Sequence, residues 1–167
     1  MKHTYTYKSK TEGMLYRSAI MGLMEKIDPT DENYKVYEKI IKKEIKLIED
    51  INFDGWMLLL ADVIMVSREI SGFVSAFGSI QNSLTAYALG IIDVYEFNED
   101  NFKKFTPFVK KPVVNIVICS YANSGCMGFV KFKYKKLIKK STKRAITFNE
   151  KLKIKFIDLG IDISRKD

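Results

Sequence analysis

Apolar residues recur three or four positions apart over two stretches early in the chain. Leu15, Ala19, Leu23 and Ile27 fall on one side of a helix predicted over Thr11 to Ile27. Asp28-Pro29-Thr30-Asp31 then reads as a turn and a helix start. Tyr34, Tyr37, Ile41, Ile45 and Ile48 form one face of a second helix to about Asn52, and Lys39, Lys42, Lys43 and Lys46 sit on its other face among Glu38, Glu44 and Glu49. Gly55 to Ile70 is apolar on every side, the pattern of a buried helix. Gly72 closes it, and Phe73, Val74 and Phe77 give a short strand. Gly78-Ser79 turns the chain into a further helix, with Ser79 at the N-cap and Asn82 where a capping box carries Glu or Gln.

The second half alternates more. Tyr95 to Phe108 is a polar and aromatic connection with a short helix around Asp100 to Phe105, and Pro107 and Pro112 bracket its end. Val113 to Cys119, VVNIVIC, is the best strand in the chain. Tyr121 to Gly128 reads as a small-residue loop that bends at Gly125 and Gly128. Phe129 to Tyr134 then alternates like a strand, Phe129, Lys131 and Lys133 against Val130, Phe132 and Tyr134. Lys135 to Arg144 is a basic helix or loop held down by Leu137 and Ile138. Ala145 to Phe148 and Leu152 to Ile157 are strands joined through Asn149-Glu150-Lys151.

At 167 residues, 47% hydrophobic and 29% charged, one globular domain is expected. Its helical lead-in runs over 1–52 and its main core over 53–167. The longest apolar run, Trp56 to Val66, is interrupted by Asp62 and too short to span a bilayer, and the N-terminal residues lack a signal-peptide core. A cytoplasmic protein with no membrane partner is therefore expected. Cys119, Cys126 and His3 are too few for a zinc site, and the cysteines read as free thiols. Charge is uneven. Lys103 to Lys155 carries fifteen basic residues against Glu150 alone, a net +14; the remainder has thirteen basic and nineteen acidic, −6, and the two sum to +8. That asymmetry suits a polyanionic partner, with a solvated lysine-rich face as the competing reading.

A strand, a Gly-Ser turn and a helix N-terminus can cradle a phosphate on exposed backbone N–H groups. Gly78, Ser79 and Ser83 are the candidates. Glu96, Glu99 and Asp100 could be imagined as metal ligands, but acids near a helix start more often answer the helix dipole.

The run FGSIQNSLTAYALGIIDV after the buried helix WMLLLADVIMVSREI resembles the palm of the C-family replicative DNA polymerases, the bacterial polymerase III α subunits. That family carries GRGS-x-x-GSL-x-AY-x-L-x-ITD after a YFLIVxDFI helix. FNEDNFKKF resembles the family's LLFERF segment, INFDGW its GF-x-x-Y, and KLKIKFIDLG its LLKLDILG strand. The resemblance implies an α+β fold, a small mixed or antiparallel sheet with helices on one side, like the palm of polymerase-β-type nucleotidyltransferases. It also implies a P-D-x-D-x-D strand whose acids hold Mg²⁺ against a triphosphate. Matched on Pro112, those positions are Val113, Asn115 and Val117, and the remaining carboxylate falls at Ile157, with Asp158 beside it on the opposite face. The family's phosphate-facing arginine is Phe77 here, and the Gly of its second Gly-Ser is Asn82. The segment between the two carboxylate strands is far shorter than in the family, which suggests a palm reduced to its sheet and flanking helices.

The expectation is a catalytically inactive, palm-derived protein that binds nucleic acid, DNA above all, in a replication context. Lys131, Lys133, Lys135, Lys136, Lys139, Lys140, Lys143 and Arg144 would meet phosphates. Phe132 and Tyr134 are read as core in preference to stacking platforms. No metal or cofactor is expected, Mg²⁺ entering only with residual nucleotidyltransferase activity through Asp158, Asp62 or Asp93. The alternatives are a regulator or decoy that docks on replication proteins, that residual enzyme, and nucleotide binding at Gly78-Ser79 without turnover.

Overall fold

A computed structural model of the protein describes residues 13–96, 98, 100–101, 103–105, 113–148 and 152–159. His3, Glu99, Pro107, Pro112, the 149–151 connection, Asp162 and the tail from Ser164 lie outside these residues. Three helices come first: α1 Met14–Lys26, α2 Tyr34–Asp50 and α3 Asp54–Ser71. They bury the apolar positions expected of them, Leu15, Ala19 and Leu23 from α1 and Ile41, Ile45 and Ile48 from α2. Between them Asp28 receives the Thr30 N–H and hydroxyl, which fixes the turn. Helix α3 ends where Gly72 turns left-handed at φ 74°.

Strand β1, Val74–Phe77, follows, then a 3-10 turn over Ser79–Asn82 and a helix α4 of five residues, Leu84–Ala88. The helix expected after the Gly-Ser turn is thus a 3-10 turn followed by a short α-helix. Its cap is displaced as well: Ser79 opens the 3-10 turn, while Ser83 caps α4 by accepting the Ala86 N–H at 3.0 Å. Strand β2 spans Val113–Ile118, β3 Ile138–Ser141, β4 Ala145–Phe148 and β5 Leu152–Asp158.

The sheet runs β1-β2-β5-β4-β3, antiparallel at every junction except the parallel pair β2–β5. The fold is α+β on a five-stranded mixed sheet, as expected. Val114, Ile116 and Ile118 of β2 alternate inward with Leu152, Ile154 and Phe156 of β5 and Ile146 and Phe148 of β4. Helix α3 crosses this inner face: it packs on β1 and β2 and lays Trp56 against Phe148, ring centroids 5.8 Å apart. Helices α1 and α2 feed the same apolar cluster.

Two further stretches depart from their patterns: Lys135 to Arg144, expected as a basic helix or loop, supplies a 3-10 turn and edge strand β3, and the segment before it changes class. Residues 123–133, expected as a loop and an alternating strand, form helix α5, Asn123–Lys133. Ala122, Cys126 and Val130 are spaced by four and all buried, so a helical stripe facing α3 is present beneath the apparent alternation. Gly125 permits that approach, since a Cβ there would stand 3.1 Å from the Ile70 Cγ2. Helical geometry also parts the two aromatics. Tyr134 is buried and bonds to Asp62, whereas Phe132, expected in the core, is 89% exposed.

Candidate functional site

The Gly-Ser turn lies beside β2, and a second set of donors follows it at the start of α4. Gly78, at φ 116°, holds the chain against β2, where a Cβ would lie 3.6 Å from the Val113 carbonyl and 3.9 Å from Asn115 Nδ2. The donors at the start of α4 are already taken. Glu44 of α2 accepts the Leu84 N–H at 3.1 Å, the Thr85 N–H at 3.0 Å and the Thr85 hydroxyl at 3.2 Å. Ser83 is fully buried in the same cluster. A carboxylate from inside the chain therefore occupies the start of α4, and the buried Ser83 hydroxyl is engaged by the Ala86 N–H. Burial pushes the Glu44 carboxyl up to about 7 against the lowering effect of these hydrogen bonds. Helix α2 was expected to place Glu44 on its solvated face; the residue is 1% exposed.

The outer face of the sheet is more open. Alternation brings Phe77 of β1, Val113, Asn115 and Val117 of β2, and Lys153, Lys155 and Ile157 of β5 to this side. The register sets Phe77 opposite Asn115 and, across β2–β5, Val113 opposite Lys153, Asn115 opposite Lys155 and Val117 opposite Ile157. The four positions that the family resemblance equates with metal-binding carboxylates thus lie together on one face of adjacent strands. None carries a carboxylate. A hard divalent cation needs several oxygen ligands, and here three aliphatic side chains and one amide face two lysines. The residues do not fit such an ion, and among the described residues no group of three His, Cys, Asp or Glu could hold a metal.

The acids considered as substitutes are engaged elsewhere. Asp158 pairs with Arg144 at 3.5 Å and stands across from Ile118, whose side chain points to the inner face. Asp62 pairs with Lys133 at 2.7 Å and Asp93 with Arg68 at 3.1 Å. Asp100 is exposed and lies 3.9 Å from Lys103.

The expected basic residues wrap one edge of the sheet. Lys131 and Lys133 lie on the last turn of α5, and Lys135 and Lys136 on a 3-10 turn, Lys135–Leu137. Lys139 and Lys140 lie on edge strand β3, and Lys143 and Arg144 at the tip of the β3–β4 hairpin. The hairpin is closed by the Thr142 N–H donating to the Ala145 carbonyl at 2.9 Å. Lys133 and Arg144 are ion-paired, whereas Lys131, Lys135, Lys136, Lys140 and Lys143 are exposed. Lys153 and Lys155 had no assigned role. The K-x-K spacing of β5 was the signal, since side chains two apart on a strand share a face.

The family model for the bacterial DNA polymerase III alpha NTPase domain matches residues 13–156. The chain is 30% identical over 136 residues to the DNA polymerase III subunit alpha of Helicobacter pylori (strain J99), covering 78% of this chain and 11% of that protein. It is also 30% identical over 128 residues to an error-prone DNA polymerase of Mycobacterium bovis, 74% of this chain and 12% of the relative. The chain thus spans about a tenth of the length of these curated relatives. No solved structure matches it significantly. Among the described residues, no helix is long and apolar enough to cross a membrane. With the match running from α1 into β5, the chain belongs to the bacterial DNA polymerase III alpha family, through that family's NTPase domain.

Proposed function

We propose that this chain is a palm-related module that binds nucleic acid without catalysing nucleotidyl transfer. One observation carries the reading. The outer sheet face where the resemblance would gather metal-binding carboxylates holds Val113, Asn115, Val117 and Ile157 beside Lys153 and Lys155. Such a face repels divalent cations and attracts phosphate. The exposed lysines on α5, the following 3-10 turn, β3 and the β3–β4 hairpin extend that positive field around the sheet edge. Contacts of this kind give salt-sensitive affinity largely independent of sequence.

The test is fluorescence anisotropy on a labelled primer–template DNA at several salt concentrations. Binding should weaken steeply with salt, and replacing Lys131, Lys136, Lys140 and Lys143 by Gln should weaken it further. No binding at low salt would overturn the reading. Incubation with nucleotides and Mg²⁺ or Mn²⁺ should yield no extended primer; extension lost on Asp158→Ala would favour a residual enzyme.

A role in docking on a replication protein has its own support. Met14, Met21 and Met24 are exposed on α1, and their spacing places them along one side of that helix. Neutralising the lysines would weaken nucleic-acid binding and spare an interface of this apolar kind.

A further inference from the structure

Three lysines share the outer face of the sheet. Lys140 of β3 stands opposite Thr147 of β4, Thr147 opposite Lys153 of β5, and Lys153 opposite Val113 of β2. One row therefore crosses four strands and bears two cations. The neighbouring row runs Ala145, Lys155, Asn115, Phe77 and ends on an aromatic ring 36% exposed. With strands about 4.8 Å apart, Lys140 and Lys153 are about 10 Å apart, and Lys153 and Lys155 about 7 Å along β5. The described residues of these two rows include no acid.

Resting on the nucleic-acid reading above, we infer that a single nucleic-acid strand crosses this face without a divalent cation, its phosphates on Lys140, Lys153 and Lys155 and a base on Phe77. The strand enters over the basic β3 edge, where Lys140 belongs to both surfaces. Charge complementarity selects the occupant, because a cationic face rules out an acid-bound metal and favours a polyanion. The aromatic at the end of the row selects single strands over duplex, since only an unstacked base can lie flat on a ring. Asn115, between Phe77 and Lys155, offers an amide donor and acceptor to a base edge or phosphate.

The experiment is anisotropy with a labelled single-stranded oligothymidylate, titrated with salt in EDTA and again in Mg²⁺. Binding should persist in EDTA. Lys153→Gln with Lys155→Gln should weaken it at least tenfold and flatten the slope of log affinity against log salt by about 0.7 per lysine removed. Phe77→Ala should weaken it about tenfold with the slope unchanged. Lys153→Arg with Lys155→Arg should retain binding, separating loss of charge from loss of fold. Lys35→Gln with Lys39→Gln, exposed on α2, should change nothing beyond the small effect of net charge. Binding that needs Mg²⁺, or is as tight and as salt-dependent in the Lys153/Lys155 glutamine variant, overturns the inference while the basic-edge reading stands. No binding by the unaltered protein at low salt overturns both.

Discussion

Glu44 lies three residues after Ile41 and four before Ile48, so helical geometry places it on the buried stripe of α2. There it accepts the Leu84 and Thr85 N–H groups at the start of α4, joining the lead-in helices to the segment beside the sheet. Burial raises its pKa from an ordinary 4.5 to about 7. For an acid whose folded-state value lies above the unfolded one, the folded protein binds the extra proton between the two values. Stability contributed by this group is therefore greatest at the acidic end and falls as pH rises from 4.5 to about 7. The fall has an upper bound of roughly 3–4 kcal/mol, at about 1.36 kcal/mol per pH unit between the two values. Denaturant unfolding at a series of pH values should show this decline, and Glu44→Gln should remove most of it between pH 4.5 and about 7. An equally steep decline in the glutamine variant would assign the pH dependence to other groups. The periodicity of α2 was legible, yet residue type concealed this site. A glutamate among lysines reads as solvated, although Glu44 already shares the stripe of Ile41, Ile45 and Ile48.

Two elements show how packing overrides local pattern. Helices α1 and α4 meet at Gly22, where an added Cβ would stand 1.8 Å from the Ala88 carbonyl oxygen. Gly22→Ala must push the helices apart and should destabilise the protein by about 1–3 kcal/mol, seen as a lower denaturation midpoint. The sequence shows a glycine inside a helix and nothing of its neighbour 66 positions on. Helix α5 is the second case. Phe129 to Tyr134 alternates like a strand, which would put Val130, Phe132 and Tyr134 on one side. In the helix, Val130 is fully buried and Phe132 is exposed. Phe132→Ser should therefore change stability by no more than about 0.5 kcal/mol. Val130→Ser, which buries a hydroxyl in an apolar contact, should cost about 2 kcal/mol or more. Equal costs would restore the strand. By contrast, β2 was legible from its run of β-branched residues and β5 from apolar positions alternating with lysines, patterns that agree with the packing of adjacent interior strands.

At the scale of the whole molecule, the sheet order decides what the carboxylate positions can become. From sequence alone, Val113, Asn115 and Ile157 are separate departures from a family motif. The parallel β2–β5 pairing makes them one surface and adds the two lysines that no motif marked. Restoring acids at Val113 and Asn115 would therefore not recreate a metal site. An aspartate at 113 would face Lys153, and one at 115 would face Lys155, both directly across the strand pair. Opposite charges in that arrangement contribute about 0.2–1 kcal/mol each, less at high salt. The double variant Val113→Asp, Asn115→Asp should keep or slightly raise the melting temperature in EDTA, and Mg²⁺ should add nothing further. It should not extend a primer, because Ile157 and Phe77 are unchanged and the new acids are held by lysines. Stabilisation by Mg²⁺ would show that the carboxylates prefer the cation to Lys153 and Lys155. Template-directed extension would show that two substitutions suffice for polymerase chemistry on this sheet and would overturn the proposed non-catalytic role.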